Sequence, residues 1–196
     1  MYAQHSDPPH NAAMRPQQSL VAIVYANDAY PQSTFEGIVE DCRRRGLRLA
    51  GVLQHPVCSD AAGHCDVVLE ELTTGLRTDL FEDRGPGASG CRLDEAALAE
   101  VNGRVARSLD AAPDLLILNK FGKVEAEGRG LLDLVGMAID RGIPVVIGVP
   151  IRNLEPWRRF AGGMSVELSR DPSEIGGWLN RTFPVAIAQS PEPAAC

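Results

Sequence analysis

Four short apolar runs constrain this chain more than any other feature: residues 20–25, 47–54, 114–118 and 143–149. They are largely unbroken rather than alternating, the pattern of strands covered on both faces in a parallel sheet. Segments of helical spacing separate them. Residues 31–45 carry Phe35, Ile38, Val39 and Cys42 on one face, with Gly46 as the closing residue. Asp94 is a predicted N-cap for a helix whose stripe is Ala97, Leu98, Val101 and Val105, and residues 131–141 present Leu132, Val135 and Ile139. Asn153 is predicted to cap a helix running through residue 160, and Asp171 a last helix opened by Pro172, with a short strand at 165–168 between them. Residues 66–72 and 76–81 flank Thr73-Thr74-Gly75 as an antiparallel hairpin. Alternating strands and helices predict a three-layer α/β domain with a mainly parallel sheet and an inserted β-hairpin.

Residues 1–18, rich in polar residues and proline, are expected to form a disordered arm. Residues 19–183 are then one domain and 184–196 a flexible tail. With 19 basic against 26 acidic residues, a net charge of -7 and a pI near 5.1, general nucleic-acid binding is disfavoured. No apolar run approaches the ~20 residues that span a bilayer, and no signal-like segment opens the chain, so a cytoplasmic protein without membrane insertion is expected. Several apolar helix faces make a homodimer a further expectation. The five cysteines, Cys42, Cys58, Cys65, Cys91 and Cys196, are irregularly spaced and read as free thiols. In the expected loop 55–65, Cys58, His64 and Cys65 have poor spacing for structural zinc.

The chemistry points first to the turn after residues 20–25. A strand, a polar loop and a helix start form the geometry that holds phosphate through unpartnered helix N–H groups. Set on G-x-x-x-x-G-K-[ST], the frame from Ala26 to Ser33 keeps the spacing and the final hydroxyl. It has Ala26 and Pro31 for the glycines and Gln32 for the lysine. Pro31 lacks a donor and Gln32 lacks charge, so a triphosphate loses its usual grip. A second candidate cradle is 82–100, where Gly85, Gly87 and Gly90 are flanked by Arg84 and Arg92. A third is Asn119-Lys120-Phe121-Gly122-Lys123 at the carboxyl end of 114–118, where ligands gather in open parallel sheets.

The stretches VAIVYANDAYPQST, CDVVLEELTTG, DRGPGASGCRLD, LLILNKFGKVEAEGRG and GIPVVIGVPIRNLEPWRRFAGG resemble a bacterial domain-of-unknown-function family often encoded in molybdenum-transport operons. Residues 119–127 also resemble the D-E-I-G-K-M-E segment of a P-loop nucleoside-triphosphatase family, with Asn119 and Lys120 at its two acidic positions. The resemblance implies a P-loop-NTPase-like fold and a role in molybdenum handling. With neither the lysine nor the acidic pair matched, hydrolysis is disfavoured. The leading expectation is a non-catalytic oxyanion-binding protein, with molybdate or tungstate as ligand and Asn27, Gln32, Ser33, Thr34, Arg84, Arg92, Asn119, Lys120 and Lys123 as donors. One alternative is a divergent enzyme that binds Mg-nucleotide through Asp28, Glu125 or Glu127. Another is a thiol-based metal or redox sensor using Cys65 and Cys91.

Overall fold

The computed structural model describes residues 19–27, 29–58, 65–82 and 92–184. Its elements are β1 (Leu20–Tyr25), α1 (Gln32–Arg44), β2 (Leu49–Cys58), β3 (Cys65–Glu71), β4 (Arg77–Asp79), β5 (Phe81–Glu82), β6 (Arg92–Leu93) and α2 (Glu95–Ser108). They continue with β7 (Leu115–Leu118), α3 (Lys123–Ala126), α4 (Leu132–Asp140), β8 (Val145–Pro150), α5 (Leu154–Ala161), β9 (Ser165–Leu168) and α6 (Pro172–Thr182). Seven strands form one sheet in the order β4-β3-β2-β7-β8-β1-β9, and β5 and β6 make a separate ribbon. The pairs β2–β7, β7–β8, β8–β1 and β1–β9 are parallel, whereas β3 and β4 extend the edge antiparallel. The expected α/β architecture with an inserted hairpin is therefore the observed one.

Two cores flank the sheet, because successive side chains of the central strands go to opposite faces. Leu20 and Ala22 of β1 join Leu116 and Leu118 of β7 against Leu98, Val101, Leu134, Val135 and Trp157, on α2, α4 and α5. Val21 and Ile23 join Leu115 and Ile117 against Phe35, Ile38, Val39, Ile175 and Trp178, on α1 and α6. Right-handed crossovers explain this division. The β1-to-β2 step runs one way across the sheet; the steps from β2 to β7, β7 to β8 and β8 to β9 run the other way. Their helices accordingly cover the opposite face.

Local signals account for most boundaries. Asp94 Oδ1 accepts from Ala97 N at 2.9 Å and Asp171 Oδ1 from Ser173 N at 2.8 Å, both as expected for N-caps. Trp157 is fully buried and its Nε1 donates to Ser165 Oγ at 3.1 Å, a packing residue with its polar atom satisfied. Three expectations need correction. The second strand does not stop at residue 54 but continues to Cys58, because beyond Gly51 it exchanges its parallel partner β7 for the antiparallel partner β3. Residues 55–58 and 65 are thus strand rather than loop, and Cys58 lies opposite Cys65. The side chain of Asn153 does not cap α5; its Nδ2 donates to Phe121 O at 2.8 Å.

Candidate functional site

Strands β1 and β8 are neighbours whose chains leave in opposite directions, β1 to α1 on one face and β8 to α5 on the other. Their carboxyl ends form a topological switch point, the place where open α/β sheets take ligands. Three loops meet there. Arg152 N donates to Asn27 Oδ1 at 2.9 Å, which ties the loop after β8 to the loop after β1. Phe121 N donates to Gly148 O at 2.7 Å, laying the loop after β7 across β8. Residue 148 has to be glycine for this approach, since a Cβ would meet the Asn119 carbonyl oxygen and the Phe35 ring.

The loop after β1 is filled from within. Tyr30 stacks on Phe35, with ring centroids 5.5 Å apart and planes at 14°, and meets Tyr25 edge-on at 5.9 Å. Burial pushes the Tyr30 phenol well above its ordinary pKa, so the hydroxyl stays protonated. At the start of α1, Gln32 N donates to Tyr30 O at 2.9 Å and Thr34 N to Pro31 O at 3.1 Å. Two of the amides an anion would use are therefore occupied. The Gln32 side chain donates to Glu36 Oε1 at 2.7 Å and lies 3.5 Å from His55 Nδ1. Ser33 and Thr34 line a groove of about 380 Å³ between α1 and α6, with Ile38, Ile175 and Leu179.

A different cavity, of about 210 Å³, opens where β2 and β7 part. Its polar side chains are Gln54, Asn119, Lys120, Lys123 and Glu125; its apolar ones come from β3, β5, β6, α2, α3 and the turn before α4. Asn119 Nδ2 donates to Gln54 Oε1 at 3.1 Å, and both residues are buried. Glu125 is also buried, and its two oxygens accept from Gly122 N at 2.9 Å and Leu131 N at 3.2 Å. Glu125 is thus a clamp that closes α3 onto the start of α4. Lys123 extends into solvent, its Nζ 3.9 Å from Glu127 Oε1. Glu127, held below the usual carboxylate range chiefly by its hydrogen bond from Arg129, is exposed.

The structure consequently brings together Asn119, Lys120 and Lys123, but not with Ser33 and Thr34, which line the separate α1–α6 groove. Asn27 belongs to the switch-point clasp and Gln32 to a polar pair beside β2. Arg92 opens β6, where only its backbone is described, next to the cavity-lining Leu93. Arg84, Asp28, His64 and Cys91 lie outside the described residues, as do the side chains of Cys58 and Cys65. Gln54 was not among the expected donors. Its signal is a polar residue directly after the apolar run 49–53 of β2. Among the described residues, no group of three or more His, Cys, Asp or Glu is placed to hold a metal, and no helix is long and apolar enough to cross a membrane.

Residues 20–178 match the family described as "Protein of unknown function (DUF2478)". The chain belongs to this family. The DUF2478 chain is also 34% identical over 165 residues to "Molybdenum import ATP-binding protein ModC 2" of Bradyrhizobium diazoefficiens; the match covers 83% of this chain. It spans only 18% of the length of that relative. Among solved structures, THEP1 from the hyperthermophile Aquifex aeolicus superposes with a TM-score of 0.57 at 16% identity, over 83% of this chain and 95% of that one. The DUF2478 chain thus has the P-loop NTPase fold that THEP1 shows.

Proposed function

We propose that this DUF2478 protein is a non-catalytic oxyanion-binding protein on a P-loop scaffold, and that it serves molybdate or tungstate handling. The observation that carries the reading is the pair at the end of β7. Asn119 and Lys120 stand where the resembling nucleoside-triphosphatase segment has two acids, and both line the cavity that Lys123 also borders. A cation and an amide favour an anion there, whereas a Mg-nucleotide needs carboxylates. The loop after β1 supports the same reading, since the Tyr30 ring and the engaged Gln32 and Thr34 amides leave it little room for phosphates. The molybdenum assignment draws on the relative named for molybdenum import. A cytoplasmic location, independence of nucleic acid and membrane, and homodimer formation belong to the same proposal.

A second reading has one observation in its favour. The switch point between β1 and β8 is intact, and the same relative is named as ATP-binding, so a nucleotide could lodge there. Calorimetry with molybdate, tungstate, sulfate, phosphate, ATP and GTP separates the two readings. The first expects oxyanion binding that weakens about tenfold or more in Lys120→Gln, the loss of roughly one charge-assisted hydrogen bond, and is unchanged in Ser33→Ala. Heat from ATP or GTP alone, with Lys120→Gln unaffected, would establish the second reading in its place.

A further inference from the structure

We infer that the cavity beside Lys120 also takes an oxyanion with a compact apolar body attached, and holds it more tightly than a bare one, so that organic oxyanions are a further ligand class. The phosphate monoester or sulfonate of a single ring or short branched chain is the size that fits. This rests on the reading that Lys120 and Lys123 hold an anion.

The cavity wall is mixed in character. Apart from the side chains of Gln54, Asn119, Lys120, Lys123 and Glu125 the wall is hydrocarbon, including Leu69, Leu80 and Leu98, each at least nine-tenths buried yet lining the space. A bare tetrahedral oxyanion is served by the polar side chains alone and gains nothing from the leucine side chains, whose contact strips water without replacing its hydrogen bonds. An apolar group gains from the same contact. Apolar walls with a few convergent polar groups are the usual composition of organic-ligand sites. The volume agrees, because about 210 Å³ exceeds the roughly 150 Å³ of an engineered apolar cavity that admits benzene. The remainder is enough for a charged head group at the lysine end.

The floor of the cavity is fixed. Both oxygens of Glu125, the acid among the described lining residues, are occupied by the Gly122 and Leu131 amides. Its carboxylate is thereby turned to holding α3 in place, not offered to a cation. The Gln54–Asn119 amide pair likewise sets the orientation of Asn119 at the polar end.

The test is calorimetry on the full chain with phenyl phosphate, inorganic phosphate, molybdate and phenol, repeated with Val67→Phe and Lys120→Gln. Val67 lines the apolar part and is only partly buried, so a larger side chain there fills the chamber. Phenyl phosphate is expected to bind at least about tenfold more tightly than phosphate or molybdate, a difference of about 1.4 kcal/mol. Val67→Phe should erase that preference while inorganic anions bind as before, and Lys120→Gln should weaken every anion. Leu93→Phe gives the same readout should Val67→Phe fail to melt like the parent. Phosphate or molybdate binding as tightly as phenyl phosphate overturns the organic body and leaves the oxyanion reading standing. Phenol binding as tightly as phenyl phosphate, or no anion binding at all, overturns both.

Discussion

The loops after β1 and after β7 leave neighbouring parts of one parallel sheet, and they have been put to opposite uses. In the first, an aromatic side chain is packed inward: Tyr30 lies flat on Phe35 and against Tyr25, and the helix amides below it donate to the loop's own carbonyls. In the second, the polar groups are satisfied by partners that leave space beside them. Glu125 accepts two backbone N–H groups, Asn119 is held by Gln54, and a cavity remains next to Lys120. The difference teaches that a P-loop scaffold can keep its strand order while open space beside a strand end is filled at one loop and kept at another. What decides is which loop is filled by its own side chains, and that is a packing question before it is a matter of motif.

If the second loop is shaped by its clamp, breaking the clamp should produce the largest effect. Glu125→Ala leaves the Gly122 and Leu131 amides buried without acceptors, at about 1–3 kcal/mol each. A total loss of about 3 kcal/mol is expected from urea denaturation, together with loss of anion binding at Lys120. Glu125→Gln keeps acceptor capacity through its carbonyl oxygen and should lose less. A Glu125→Ala protein within about 1 kcal/mol of the parent would show that the loop is positioned by something else.

A pair of glycines sharpens the same point with a smaller expected difference. Gly128 and Gly130 both have positive φ, at +81° and +68°, so alanine at either is strained by about 1–2 kcal/mol. They differ in surroundings. A Cβ at Gly128 meets nothing, whereas one at Gly130 would collide with the Glu125 carboxylate and approach Val124 Cγ1 to 3.2 Å. Gly130→Ala should therefore cost about 1 kcal/mol more than Gly128→Ala, the excess being displacement of the clamp. In a Glu125→Ala background the excess should vanish, since the colliding carboxylate is gone. Equal losses from the two substitutions in the parent protein would count against a rigid clamp.

The fold was largely legible because β1, β7 and β8 are buried on both faces, which writes an unbroken apolar run into the sequence. The caps at Asp94 and Asp171 were legible because each acts on a backbone amide two or three residues away. The end of β2 was not, since its continuation to Cys58 depends on pairing with β3, a partner that local pattern does not announce. The site followed the same rule. That Asn119, Lys120 and Lys123 line one cavity was legible from their place at a strand end. That Ser33 and Thr34 line a groove against α6 depends on residues some 140 positions later in the chain. The clamp did leave a trace: Gly122 and Glu125 have the spacing of a capping box, with the acid three residues after the cap.

A third effect tests how dry the α1 side is. Cys42 is fully buried on the face of α1 that also carries Phe35, and burial, the largest cause, pushes its thiol up to about 11 from 9.0. A folded-state pKa above the unfolded one means that the native protein holds this proton more tightly. The corresponding stability is complete below pH 9 and is lost as pH rises toward 11. Cys42→Ala lacks the titrating group but has every other group in common with the parent, including Tyr30. Its urea midpoint should lie below the parent's by an amount that reflects the cavity at pH 8 and that shrinks steadily by pH 11. A gap that stays constant across that range would mean that the thiol ionises as readily in the folded chain as in the unfolded one, and that water reaches the packing beneath the first loop.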